Sequence, residues 1–348
     1  MDVGRERAPV ELPNTRLRPS AVLAMAPGVR EKMFGQEALR RLGELTEIHE
    51  QVLHEVTSPG ALRAIAGAEV LVTGWGCPMI GADLLDLAPG LRFIAHAAGT
   101  VKTFLDPAVL ERGVRVSSAA DANAVPVAEF TYAAIVFGAK RAFTLAHRYR
   151  EHGTKRDFTG LAWLGTRDIT VGLIGLSRIG RRVMGLLRGL DAEVLVYDPY
   201  ADPAEIAALG GTAVDLDTLV RRSHVVSLHA PESRETYRML DARRLSLLPD
   251  GAVVINTARG GLIDTDALVK ELRSGRLDAI LDVSDPEPLS SGHPLFDLPN
   301  AFVTPHLAGA QGNELGRLAE STLEEIARYA AGLPLLHEIH RGELDRMA

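Results

Sequence analysis

A chain of 348 residues, 46% apolar and 24% charged, holds enough apolar material for about two packed domains, which excludes a disordered chain. A net charge of −7 argues against general nucleic-acid binding, which draws on clustered Lys and Arg, and a single cysteine, Cys77, excludes a disulfide framework. No stretch reaches the roughly 18 charge-free apolar residues of a membrane span, and Arg5, Glu6 and Arg7 stand where a signal peptide needs an apolar segment, so the expected compartment is the cytoplasm.

Residues 1–18 are polar and contain Pro9 and Pro13; they read as a flexible tail. Short apolar runs then predict strands over 21–25, 70–73, 91–95 and 114–118, with helical patterns between them over 36–45 and 84–87. Strands alternating with helices imply a parallel sheet. A long apolar helix over 127–149 follows, expected to cross between domains. A second series predicts strands over 170–174, 193–197, 225–228, 252–256, 279–282 and 301–304, the six of a full dinucleotide-binding sheet. The helical pattern that resumes after His306 and runs to about Ala331 comes too late for that sheet, and is expected to return to the first domain.

The strongest motif is GLIGLSRIG over 172–180, between a strand and a helix whose Ile179, Val183, Leu186, Leu187 and Leu190 share one face. It is a glycine fingerprint with Ser177 at the middle position. Gly175 suits the tight turn and Gly180 suits close helix–strand packing, while Ser177 adds a hydroxyl able to donate to a phosphate oxygen. Asp198, at the end of the next strand, stands where a carboxylate bonds the ribose 2′-hydroxyl of NAD and repels the 2′-phosphate of NADP. Arg178 and Ile179 complete the expected cofactor loop.

Three more segments end strands, where ligands bind in open α/β sheets: NTARGGLID (256–264), LDVSDPEP (281–288) and NAFVTPH (300–306). With the glycine loop they resemble the D-isomer-specific 2-hydroxyacid dehydrogenase family, in order, over about 91 to 310. The resemblance implies an α/β fold of two doubly wound parallel-sheet domains with an interdomain cleft. A flavodoxin-like substrate domain would span 19–126 plus 308–335, and a Rossmann NAD domain 127–307. It implies Arg259 as the arginine that holds the substrate carboxylate, His306 as general acid/base and Glu287 as the carboxylate that orients the imidazole. Asp282 is placed near the nicotinamide carboxamide, and His229, Pro231 and Thr257 line the cofactor. The cofactor implied is NAD, the substrate a small 2-hydroxy or 2-oxo acid, and the assembly a homodimer through the NAD domain.

The chemistry suits these residue types. Arginine forks onto a carboxylate and keeps its charge; histidine gives and accepts a proton near neutral pH; a carboxylate on its other nitrogen fixes the tautomer. In AHAAGTVK (95–102) the family's first glycine is Ala97, and Val101 falls where its aspartate would be; the amides of Ala98 and Gly99 are expected to hold the substrate carboxylate, and Lys102 offers a contact for a second acidic group. A non-enzymatic NAD(H)-sensing module on the same fold is the alternative reading. A phosphoglycerate dehydrogenase is a further possibility, although the stretch after His306 is short for an appended regulatory domain. His337 and His340 are expected to be solvated, not a metal pair, and Cys77 to be a small core residue.

Overall fold

The structure is a computed structural model that describes residues 18–153 and 157–344. The tail expected over 1–18 lies outside them apart from Arg18. The chain divides into two units: one runs up to Asn123 and resumes at Gly312, the other is Ala124–Gln311. The divisions expected from the sequence fall after 126 and 307, within a few residues of these.

The first unit is a parallel sheet of β1 (Ser20–Ala24), β2 (Glu47–Leu53), β3 (Val70–Thr73), β4 (Phe93–His96) and β5 (Arg115–Ser118), in the order β2-β1-β3-β4-β5. This is the flavodoxin-like doubly wound order. Strand β2 was not expected from the sequence. It lies at the edge, and six of its seven residues escape full burial, so it lacks the apolar run that marks the central strands. Helix Leu315–Ala330 does return to this unit. It packs on helix Gln36–Leu45 and on β4, burying Leu318, Leu323 and Ile326. Its Tyr329 stacks on Phe93 at 4.9 Å and donates its hydroxyl to Glu69 at 2.7 Å. His337, expected to be solvated, is half-buried against Asp121, with Nδ1 3.1 Å from Oδ2. Cys77 packs at the margin of the apolar core, where burial pushes its thiol up to about 12.

The second unit is a seven-stranded parallel sheet of β6 (Ile169–Ile174), β7 (Ala192–Tyr197), β8 (Thr212–Ala213), β9 (Val225–Leu228), β10 (Val253–Asn256), β11 (Asp278–Leu281) and β12 (Ala301–Val303). Its order, β12-β11-β10-β9-β6-β7-β8, is the dinucleotide-binding order with one further strand. The six expected strands are all present. The strand not expected from the sequence is β8, two exposed residues at the edge, too short for a periodicity to register, and β12 is the one beyond the six of the dinucleotide-binding order. The central strands β6, β9 and β10 are buried along their whole length, as a parallel sheet covered on both faces requires.

The helix expected over 127–149 is two helices, Ala120–Ala139 and Ala142–His152. The first begins early and carries Pro126 within it. The break falls at Arg141, which adopts a left-handed φ of 52°. Its guanidinium is buried, meets Asp278 Oδ2 at 2.9 Å, donates to the Gly251 carbonyl and lies over the Trp163 ring. A tertiary anchor ends the helix where the local pattern would continue it. Helix Ala120–Ala139 is long and apolar enough to cross a membrane, but half of that stretch is buried within the protein.

Candidate active site

The fingerprint loop joins β6 to helix Arg178–Leu187. Gly175 has a φ of 98°, and a Cβ there would lie 2.6 Å from the Ala230 amide nitrogen. A Cβ on Gly180 would lie 2.3 Å from the Gly175 carbonyl oxygen. The two glycines therefore let the turn and the helix close onto the end of β9. Ser177 is the N-cap: its Oγ accepts from the Gly180 amide at 3.3 Å. The hydroxyl oxygen is thus committed to the helix, while its proton is still able to reach an anion. The first-turn amides of a helix have no intrahelical carbonyl to accept them, and a helix N-terminus at this loop is the makings of a phosphate site. Asp198 accepts from Leu176 N at 2.7 Å and Tyr200 N at 2.8 Å, so the carboxylate expected to meet the ribose also ties the loop to the end of β7.

His229 is buried at the end of β9, where burial pushes its pKa down to about 3 and keeps it neutral. Nε2 lies 3.0 Å from Ser227 Oγ, and Nδ1 has no partner among the described residues. A buried ring nitrogen left unpaired beside the fingerprint loop fits a site completed by a polar ligand. Pro231 follows on the same loop, its carbonyl accepting from Thr236 Oγ1 at 2.7 Å. Thr257 is held by Thr131, a residue the sequence reading missed. Thr131 Oγ1 donates to the Val127 carbonyl at 2.8 Å, so it accepts from Thr257 Oγ1 at 2.7 Å, and the Thr257 oxygen keeps an open lone pair.

At the end of β10, Asn256 Nδ2 donates to the Arg259 carbonyl at 2.8 Å and Oδ1 accepts from the Ala258 amide at 3.0 Å. This turn presents Arg259. Burial holds its guanidinium below the ordinary arginine range, opposed by the carboxylates of Glu232 and Glu287.

Asp282, at the end of β11, is 1% exposed, and both its carboxylate oxygens face the loop after β12. Oδ1 accepts from Thr304 Oγ1 at 2.6 Å and Leu307 N at 2.8 Å; Oδ2 accepts from Ala308 N at 2.9 Å. The Asp282 carbonyl accepts from His306 N at 2.9 Å. The residue expected beside the nicotinamide carboxamide is thus the clamp of the loop that carries His306. Within the clamp His306 adopts a left-handed φ of 54°, a conformation in which histidine is among the better-tolerated side chains. Its Nδ1 meets Glu287 Oε1 at 2.6 Å. Because a carboxylate only accepts, Nδ1 carries the hydrogen and Nε2 is left for a substrate. Both side chains are about half exposed, so the pair adds little to stability and its value lies in orientation.

Ala98 and Gly99 belong to the other unit, after β4. Their amides make no hydrogen bond among the described residues, so the donors expected for a carboxylate are open. His96 braces this loop: Nδ1 lies 2.8 Å from Thr73 Oγ1, and the ring hydrogen-bonds the backbone of Thr100. Val101, standing where the family has an aspartate, is buried in the apolar core of its unit. Lys102 is exposed. No group of three or more His, Cys, Asp or Glu side chains suited to a metal occurs among the described residues.

The family model for the NAD-binding domain of D-isomer specific 2-hydroxyacid dehydrogenases matches residues 133–308. The D-3-phosphoglycerate dehydrogenase of Archaeoglobus fulgidus is 31% identical over 264 residues, covering 75% of this chain and 49% of that protein. The glyoxylate reductase of Thermofilum pendens is 34% identical over 257 residues, 73% of this chain and 76% of that protein. The D-lactate dehydrogenase of Aquifex aeolicus, solved with NAD and lactic acid, superposes with a TM-score of 0.68 at 27% identity, covering 89% of this chain and 96% of that one. The chain spans about half the length of the phosphoglycerate dehydrogenases it matches. Two parallel sheets in these strand orders, a glycine fingerprint closed onto β9 and a histidine–carboxylate pair beside an arginine agree with the match over the NAD-binding domain: the chain belongs to the D-isomer specific 2-hydroxyacid dehydrogenase family.

Proposed function

We propose that this protein is an NAD-dependent oxidoreductase acting on a small 2-hydroxy or 2-oxo acid, with Arg259, Glu287 and His306 as its catalytic residues. The observation that carries the reading is the His306–Glu287 hydrogen bond of 2.6 Å on the loop clamped by Asp282, with Arg259 close enough to feel Glu287. Bound NAD(H) supplies the hydride and takes it back in the reverse direction. It would be held by the fingerprint loop, Asp198 and the unpaired Nδ1 of His229.

Arg259 forks onto the substrate carboxylate and polarises the adjacent carbonyl. His306 Nε2 gives its proton to the developing alkoxide in reduction and removes it in oxidation. Glu287 keeps Nδ1 protonated and steadies the imidazolium formed in oxidation. The open amides of Ala98 and Gly99 support the assignment of the first unit to substrate binding. Exposed Phe137 and Tyr149, on the helices Ala120–Ala139 and Ala142–His152, support a homodimer through the second unit. The expected site of action is the cytoplasm.

The test is NADH oxidation followed by absorbance against glyoxylate, hydroxypyruvate, pyruvate, phenylpyruvate and 2-oxoglutarate. One or more should turn over. His306→Ala should lose about 10²- to 10⁴-fold in kcat and bind NADH with wild-type affinity by fluorescence. Wild-type rates in that variant, or silence of the wild type across the panel with NADH bound, refutes the reading.

A further inference from the structure

The segment after Arg259 is pressed between two neighbours. On one side, a Cβ on Gly260 would lie 1.9 Å from the Ser284 carbonyl oxygen. On the other, a Cβ on Gly261 would lie 2.6 Å from Glu232 Oε2 and 2.9 Å from Oε1. The Glu232 carboxylate rests on the Gly261 backbone, two residues from the arginine. Glu232 lies in the loop after β9, so the ends of two adjacent strands bring it there. It is exposed and makes no hydrogen bond or ion pair among the described residues. Its charge, like that of Glu287, opposes the effect of burial on the Arg259 guanidinium. An open carboxylate thus stands beside the cation that docks the substrate.

We propose that Glu232 is a specificity-determining residue that selects monoanionic 2-oxo acids over acids bearing a second anionic group, such as a phosphate or another carboxylate. The inference rests on the function proposed above. The first carboxylate of a substrate satisfies the single positive charge of Arg259. A second anion on a molecule of this size lies within a Debye length, ~8 Å at physiological salt, of Glu232, whose charge is then uncompensated, whereas Glu287 is paired with His306. Like charges juxtaposed at a binding surface discriminate by repulsion. Partial exposure of the site keeps the effect to about tenfold, equivalent to ~1.4 kcal/mol. The sequence reading of Lys102 pointed the other way, toward a second acidic group, so the two assignments make opposite predictions.

The test compares kcat/KM with NADH for hydroxypyruvate and 3-phosphohydroxypyruvate, which share a skeleton and differ by one phosphate. The wild type should favour hydroxypyruvate. Glu232→Gln should move the ratio toward the phosphorylated acid by about tenfold at low salt and by less at high salt, while Glu232→Asp, which keeps the charge, should retain the wild-type preference. A ratio that moves less than twofold in Glu232→Gln, or a wild type that favours the phosphorylated acid, overturns the proposal and leaves the proposed function standing. Absence of turnover on every 2-oxo acid with NADH bound overturns both.

Discussion

Asp282→Asn should loosen the loop that carries His306, because the substitution keeps the shape of the side chain and reverses the polarity of one atom. The carboxylate accepts three hydrogen bonds, from Thr304 Oγ1, Leu307 N and Ala308 N, in a site 1% exposed. The best orientation of an asparagine keeps its carbonyl toward Thr304 and Leu307 and turns its NH2 toward the Ala308 amide, donor against donor. Two bonds then fall from a charged to a neutral acceptor at roughly 1 kcal/mol each, and an orphaned buried N–H adds roughly 1–3 kcal/mol. The sum is about 3–5 kcal/mol, a large share of the ~5–15 kcal/mol that stabilises a typical domain. Hydrogen exchange at the Leu307 and Ala308 amides should accelerate by about the same free energy. Displacing His306 Nε2 by an ångström should lower kcat by about 10²-fold. Thr304→Val should add less in the Asp282→Asn background than in the wild type, because the two groups share a bond. The assays are urea denaturation, amide exchange by NMR or mass spectrometry, and steady-state kinetics. A variant within 1 kcal/mol of wild type, with unchanged exchange and kcat, would show that Asp282 does not hold the loop.

Stability should fall with acid below pH 6.5. His96 and His229 are buried and neutral, each with its pKa pushed down to about 3 by burial. Between pH 6.5 and about 3 the unfolded chain binds a proton at each that the folded chain does not. Folding free energy therefore drops as pH falls through that window, by up to about 1.4 kcal/mol per pH unit for each histidine. His337, raised by its hydrogen bond to Asp121, has the opposite sign: its contribution is present below its unfolded pKa and is lost as pH rises through the folded value. His96→Gln should reduce the acid slope measured by denaturant titration, and an unchanged slope refutes the assignment. Asp198→Asn should raise kcat/KM for NADPH relative to NADH by about tenfold, the ~1.4 kcal/mol of a removed like charge, and a ratio that does not move would show that Asp198 does not discriminate the cofactors.

Much of this protein is written in short stretches of chain. Central parallel strands are buried on both faces, so 170–174, 225–228 and 252–256 read as apolar runs, and the turn that needs Gly175 and Gly180 allows few other residues. The order of the four strand-end motifs carries the family, and the roles proposed for Arg259, Glu287 and His306 follow from it. What escaped the sequence reading depends on contacts between distant segments. The edge strand β2 is polar because one side of it lacks a neighbouring strand. Arg141 ends a helix because Asp278 and Gly251 wait for its guanidinium, and no local pattern reports that. The roles of Asp282 and Glu232 arise where the ends of β9, β10, β11 and β12 lie side by side. Parallel pairing fixes which strand ends meet, and a carboxylate becomes a clamp or a repulsive charge only through the atoms that this pairing sets against it.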